Sequence, residues 1–237
     1  MVNHIKHIRT PIHHDTHHLD IGFRLEPITN LDSGIVDCRE WLLDHHPLPE
    51  NPAGWLPVYL AMADHVPRSS FWPTTVNVTS QLLTDKATGP LIRVLCRRMQ
   101  DEKKKLVLEW TEDTGGNHHT HQKAADLLLR LREIFGIQIS IDDAGSPGLD
   151  AIWRIMHTNP DWVKIDGALF HRALSGDAWS ESARICIIHL LEIAKSHQAK
   201  TVIEWIETQE QHDKALVYGA EYGQGYFFDF LHKESLA

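Results

Sequence analysis

Five apolar, strand-like runs each carry an acid, an amide or an ammonium where a plain strand would place another aliphatic side chain. They are Val76-Asn77-Val78, Leu106-Val107-Leu108-Glu109, Ile139-Ser140-Ile141-Asp142-Asp143, Val163-Lys164-Ile165-Asp166 and Val202-Ile203-Glu204. An unpaired charge is costly to bury, so such groups end up paired or metal-bound. Runs of this kind, separated by helix-like segments, predict one polar centre assembled from the ends of several parallel strands. The natural neutraliser of so much negative charge is a divalent cation. Oxygen donors without Cys or His favour a hard ion, Mg2+ or Mn2+, over zinc.

Each residue also has a plainer reading. Asp143 suits a helix N-cap, Lys164 and Asp166 a structural ion pair, and Glu207 the acid-rich first turn of a helix. Together these readings require many coincidences, and they are set aside for Glu40, Asn77, Glu109, Asp142 and Lys164.

The elements that must position these groups alternate along the chain. Strand candidates are Gly22–Thr29, Ile35–Glu40, Thr74–Thr79, Lys105–Trp110, Ile137–Asp142, Trp162–Ile165, Thr201–Glu204 and a weak one at Glu221–Gly223. Helix candidates are Trp55–His65, Gly89–Lys103, Gln122–Phe135, Leu149–His157, Ser180–Ser196 and Glu210–Tyr218. In Gln122–Phe135 the residues Ala125, Leu128, Leu129, Leu131 and Ile134 make an apolar stripe at helical period, and Gly136 ends it. Asn30-Leu31-Asp32-Ser33-Gly34 predicts a hairpin turn between the first two strands. No G-x-G-x-x-G opens a helix, so a nucleotide-binding doubly wound sheet lacks its fingerprint. The fold class expected is α/β, a (β/α)8 TIM-like barrel whose first strands form an antiparallel hairpin. Catalytic groups of such barrels sit at the C-terminal ends of strands, where Glu40, Asn77, Glu109, Asp142 and Glu204 fall.

The 237 residues fit one barrel domain, here taken as 22–237, behind a flexible His-rich N-terminal arm at 1–21. His4, His7, His13, His14, His17 and His18 crowd that arm, whose plain reading is a polar terminus with incidental metal affinity. His45-His46 and His118-His119-His121 read as surface. A formal net charge of −9 with no basic run disfavours binding a nucleic-acid polymer. No apolar stretch is long enough for a membrane span, no signal peptide opens the chain, and Cys38, Cys96 and Cys186 have no metal-like spacing. A cytoplasmic protein with reduced thiols is expected.

Read in order, the blocks resemble those of the EAL domain family, which hydrolyses cyclic di-GMP. They are Leu25-Glu26-Pro27-Ile28, Glu40-Trp41-Leu42, Thr75-Val76-Asn77, Leu108-Glu109-Trp110-Thr111-Glu112, Asp142-Asp143-Ala144-Gly145, Lys164-Ile165-Asp166, Ile203-Glu204-Trp205-Ile206-Glu207-Thr208 and Gln224-Gly225-Tyr226-Phe227-Phe228. The resemblance implies a two-metal phosphodiesterase that opens cyclic di-GMP to linear pGpG with Mg2+ or Mn2+. Glu40, Asn77, Glu109 and Asp142 are then expected to hold one ion and Asp142, Asp143 and Glu204 the other. Lys164 would stabilise developing negative charge beside the attacking water, with Glu204 helping to deprotonate it. Glu207 would join the catalytic shell, Gln224 the substrate pocket, and Glu112 would brace the loop after Asp143.

The departures fall on the substrate side. Asp44 stands where the family has an Arg on a ligand phosphate, and Glu26 replaces a Gln. Trp205 replaces a Gly, and the loop after Asp143 has lost its family sequence. The segment between Glu40 and Asn77 is shorter than the family's, as if a helix were trimmed. An inactive cyclic di-GMP receptor or protein-interaction regulator is therefore the alternative to the enzyme. A homodimer and a regulatory protein partner are also implied by the resemblance, and the altered loop bears on that dimer.

Overall fold

The computed structural model describes residues 8–14, 17–44, 48–69, 72–111, 117–147 and 151–228, with side chains from Ile21 onward. Glu112, His4, His7 and His45-His46 lie outside the described residues. Among the described residues nine strands, β1 (Ile8–His14), β2 (His17–Asn30), β3 (Val36–Leu43), β4 (Thr74–Val78), β5 (Leu106–Trp110), β6 (Gln138–Ala144), β7 (Trp162–Ile165), β8 (Lys200–Ile203) and β9 (Tyr222–Gly223), follow one another in a single sheet. β2 runs antiparallel to β3 and to β9, and every neighbour from β3 to β9 is parallel. The β2–β9 pairing closes β2–β9 into an eight-stranded barrel with the expected antiparallel start.

The helices are α1 (Pro52–Ser69), α2 (Ser80–Thr84), α3 (Thr88–Asp101), α4 (His118–Phe135), α5 (Ala151–Thr158), α6 (Gly167–Leu174), α7 (Ser180–Ser196) and α8 (Gln209–Tyr218). α2 and α6 were not expected. Both are too short to show a period, but each starts on a capping oxygen: Thr79 accepts from the Leu82 amide and Asp166 from the Ala168 amide. Asp166 is thus an N-cap rather than the partner of Lys164.

β2 begins at His17, and its first half pairs with β1 from Ile8 to His14. Alternating β-branched Ile8, Thr10 and Ile12 give that stretch its strand pattern. On α4 the buried face is His121, Ala124, Ala125, Leu128 and Leu131, while Leu129 and Ile134 are exposed. His121 is therefore not a surface residue. Its ring bonds to Ser80 Oγ at 2.8 Å, whereas His118 and His119 are exposed.

The barrel is apolar on both sides of its wall, which explains the unbroken apolar runs of its strands. Outward-facing Trp41, Val76, Leu108, Ile139, Ile141, Val163 and Ile203 join the cluster under the helices. Inside, Ile28, Cys38, Val107, Trp162, Val202 and Tyr222 form a separate buried plug. Successive inward positions on a strand are two apart. The next inward side chains above the plug are therefore Glu26, Glu40, Glu109, Lys164, Glu204 and Gln224. Thr75 and Ser140 hold the same level under Asn77 and Asp142, and Thr75 Oγ1 lies 3.1 Å from Cys38 Sγ. One strand parity thus puts an apolar plug below and a polar centre above it.

Candidate active site and metal centre

Lys164 is the hub of that centre. Its Nζ lies 2.6 Å from Glu109 Oε1, 2.6 Å from Glu204 Oε1, 3.2 Å from Glu40 Oε2 and 3.2 Å from Asp142 Oδ1. All five side chains are buried or nearly so. Asn77 Nδ2 donates to Glu40 Oε1 at 2.7 Å, and Gln224 Nε2 donates to Glu40 Oε2 at 2.7 Å and to Glu26 Oε2 at 3.1 Å. Groups from eight strands or strand ends therefore meet at one point.

The Asp142-Asp143 pair reaches the centre through a break in register. Ile141 pairs with Val163 and Ala144 with Ile165, so Asp142 and Asp143 together face the single residue Lys164. This is a β-bulge, with Asp143 in the left-handed region at φ 51°. In a regular strand adjacent side chains point to opposite faces. Here carboxylate oxygens of Asp142, Asp143 and Glu204 all lie within 4.8 Å of one another. Asp143 is thus part of a carboxylate cluster, not a helix cap.

Two supporting residues escaped the sequence reading. Arg154, on α5 and fully buried, donates from Nη1 to the Trp110 carbonyl at 2.7 Å and from Nη2 to the Asp142 carbonyl at 2.9 Å. It ties the end of β5 to the bulge of β6. Tyr59 on α1 donates its hydroxyl to the Asn77 carbonyl at 2.6 Å. An Arg in an amphipathic helix reads as a surface charge, so no sequence pattern marks Arg154.

The charges at the centre are unequal to one another. One ammonium faces four carboxylates. Burial alone would discharge Lys164, but Asp142, Glu109, Glu204 and Glu40 hold its pKa well above the ordinary lysine value. Burial pushes Glu40 up, yet Lys164 and the amides of Gln224 and Asn77 bring it below the usual range. Burial pushes Glu109 well up, and Glu40 adds to this against the pull of Lys164. Glu204 is likewise pushed well up, by burial and then by Asp142, although Lys164 opposes. Such groups take up protons or a cation. Among the described residues the buried oxygens Asn77 Oδ1 and Glu109 Oε2 have no hydrogen-bond donor, which fits a hard cation that accepts oxygen ligands.

The centre opens into a cavity of about 700 Å3 lined by Glu26, Asp44, Asp142, Asp143, Glu204, Glu207 and Gln224, among others. Every described site residue named from the sequence lines it except Glu109, which is fully buried beside Lys164. Glu207 is exposed at the rim, and Gln224 is engaged as a brace between Glu26 and Glu40. Asp44 is exposed at the end of β3, its amide bonded to the Gly22 carbonyl at 2.8 Å. Arg24 also borders the cavity and pairs with Glu26 at 2.9 Å.

A closed barrel with an acidic, lysine-centred floor at its strand ends defines a class of barrel domains suited to phosphoester chemistry. The sequence profile of the EAL domain matches residues 59–229, and the chain belongs to the EAL domain family. Glu26, Glu40 and Asp44 precede the matched range. The chain is 29% identical over 154 residues to the probable cyclic di-GMP phosphodiesterase PdeB of Escherichia coli strain K12, covering 65% of this chain and 27% of that protein. It is 32% identical over 133 residues to the cyclic di-GMP phosphodiesterase PdeF of the same organism, covering 56% of this chain and 17% of that one. Among solved structures, the PaMucR phosphodiesterase in complex with cyclic di-GMP shares the fold at TM-score 0.68 and 18% identity, over 88% of this chain and 90% of its own. The Bacillus subtilis YkuI protein, with an EAL domain in complex with cyclic di-GMP and calcium, does so at TM-score 0.68 and 20% identity, over 86% of this chain and 54% of its own. Among the described residues no helix is long and apolar enough to cross a membrane.

Proposed function

We propose that this domain is a metal-dependent phosphodiesterase that hydrolyses cyclic di-GMP to linear pGpG. The observation that carries the reading is the meeting of Glu40, Asn77, Glu109, Asp142 and Glu204 around Lys164 on the floor of a cavity large enough for a dinucleotide. Glu40, Asn77, Glu109 and Asp142 would hold one divalent ion, and Asp142, Asp143 and Glu204 a second. When bound, Mg2+ or Mn2+ supplies charge to the phosphoryl oxygens and lowers the pKa of water.

The protein's own groups do the rest. Water adds to one phosphorus, the P–O3′ bond breaks, the phosphate stays on the 5′ side, and the departing O3′ takes up a proton from solvent to become a hydroxyl. The fixed ammonium of Lys164 offsets charge that builds on the phosphoryl group. Glu204, whose carboxylate lies beside Lys164, is assigned to take the water's proton. Gln224, itself bonded to Glu26, holds Glu40 in place from one side and Asn77 from the other. Glu207 shapes the rim, and Glu112 is assigned to brace the loop after Asp143.

The test is incubation of the purified protein with cyclic di-GMP and Mn2+ or Mg2+, followed by chromatography. Linear pGpG is expected with metal and none with a chelator. A second reading rests on Asp44: an acid bordering the cavity repels an anionic ligand where the family has an Arg. In that reading the domain is an inactive receptor or a regulator of another protein. Tight binding without product selects the receptor, and neither binding nor product selects the protein-interaction role. In either reading the domain works in the cytoplasm, alone, as a homodimer or with a regulatory protein. Size-exclusion chromatography with and without ligand separates these states.

A further inference from the structure

Trp205 combines three features that folding alone does not explain. It is a bulky residue in the left-handed region, at φ 57°, where glycine fits and large L side chains are rarely found. Its side chain gains little from burial, being 55% exposed. And it borders the cavity directly after Glu204, whose carboxylate lies on Lys164. Strain kept in a residue that adds nothing to the core points to function.

The indole is also pinned. A Cβ at Gly167, the first residue of α6, would come 2.3 Å from Trp205 Cγ, so the ring rests on backbone that only glycine leaves clear. His171 on the same helix bonds the Trp205 carbonyl at 2.9 Å and sets its ring edge-on to the indole at 6.0 Å and 85°. A rigid, part-exposed aromatic loses little freedom when a flat ring stacks on it. Tyr226, 59% exposed, borders the same cavity.

We infer that Trp205 is a stacking platform for one purine base of the nucleotide whose phosphate reaches the Lys164 floor. This rests on the phosphodiesterase reading for the phosphate end of the ligand and adds a specificity-determining residue for the base end. Stacking on an aromatic side chain is sequence-tolerant and changes affinity by about five-fold to over a hundred-fold per base. The platform therefore selects nucleotides over base-free phosphodiesters.

The test compares wild type, Trp205→Gly and Trp205→Phe in equilibrium binding of cyclic di-GMP with Ca2+, alongside thermal unfolding with and without Mn2+. Trp205→Gly is expected to raise the melting temperature by relieving the backbone, keep the Mn2+-induced rise, and weaken cyclic di-GMP about ten-fold or more. Trp205→Phe is expected to keep affinity within about three-fold while losing most of the ligand-induced quench of tryptophan emission. The inference is overturned by wild-type affinity in Trp205→Gly, by a full quench in Trp205→Phe, or by a wild type that binds no cyclic di-GMP. Wild-type binding with no pGpG formed would instead overturn the phosphodiesterase reading, and the same variants would still decide the platform.

Discussion

Lys164 Nζ stands 2.6 Å from Glu204 Oε1, with the lysine buried and, among the described residues, no second ammonium on that carboxylate. The lysine both offsets part of the floor's negative charge and faces the place where phosphoryl charge would grow. Lys164→Met removes both roles. Turnover of cyclic di-GMP should fall by at least about 100-fold, as for loss of a preorganised electrostatic donor. Without divalent ions the variant should also lose about 3 kcal/mol of stability, because buried carboxylates are left without their partner. Added Mn2+ should restore much of the melting temperature but not the rate. Full activity in this variant would remove Lys164 from the site.

Cation binding should be visible without any substrate. Ligands that bind only the folded state stabilise it by about 2.7 kcal/mol at a hundred times their dissociation constant. The melting temperature should therefore rise with Mg2+ or Mn2+ and fall on adding a chelator. Glu109→Gln keeps the size of the side chain but weakens one oxygen donor, and should shift the metal titration to higher concentration. A melting curve indifferent to divalent ions would remove the metal centre.

Arg154 should act on catalysis from behind the wall. It donates to the Trp110 and Asp142 carbonyls, so Arg154→Met leaves two buried acceptors unpaired and should cost about 3 kcal/mol. Because the Asp142 backbone then loses its anchor, kcat should fall more than KM changes. Arg154→Lys should not rescue, since a single ammonium does not reproduce the two-pronged fork. Equal rates in folded Arg154→Met would confine this residue to packing.

The pole of the barrel opposite the site gives a pH prediction. Burial pushes Asp37 up, but bonds from Lys200 at 2.9 Å and Tyr222 at 2.8 Å bring its pKa below the ordinary aspartate value. Lys200 also lies 4.4 Å from the Trp162 ring centre. A carboxyl with a depressed folded pKa adds stability above its unfolded pKa of about 3.9 and loses it as pH falls through the lower folded value. Lys200→Met should therefore be less stable than wild type by about 1 kcal/mol or less, since the pair is partly exposed. That gap should be flat from about pH 5 to pH 8 and narrow below about pH 4, as read by urea unfolding. A gap that widens in acid would contradict the assignment.

Much of this was legible because a barrel strand buries both faces. Polar residues then stand out against aliphatic runs, and strand parity marks which of them face inward. Asn77, Glu109, Asp142, Lys164 and Glu204 all showed in that way, and Glu40 by its place at a strand end and in its EAL-like block. Arg154 and Tyr59 did not, because each acts through a backbone carbonyl, and a carbonyl leaves no trace in side-chain pattern. The α4 stripe misled at Leu129 and Ile134 because apolar type alone does not fix which face of a helix is covered. His121 and Ala124 define the true face, and His121 is hidden from an apolar count by its polarity. The bulge at Asp142-Asp143 was anticipated only as a strand end, since one extra residue in a ladder has no compositional sign.

That extra residue carries a consequence for how such a domain changes over time. The cylinder closes by pairing Ile141 with Val163 and Ala144 with Ile165, and needs just one residue between them. Losing a single codon at Asp143 would straighten the ladder and take one oxygen donor from the cage without touching the plug below it. Inheritance of the scaffold and inheritance of the chemistry are thus separable here, and a descendant can shed the reaction while keeping its shape.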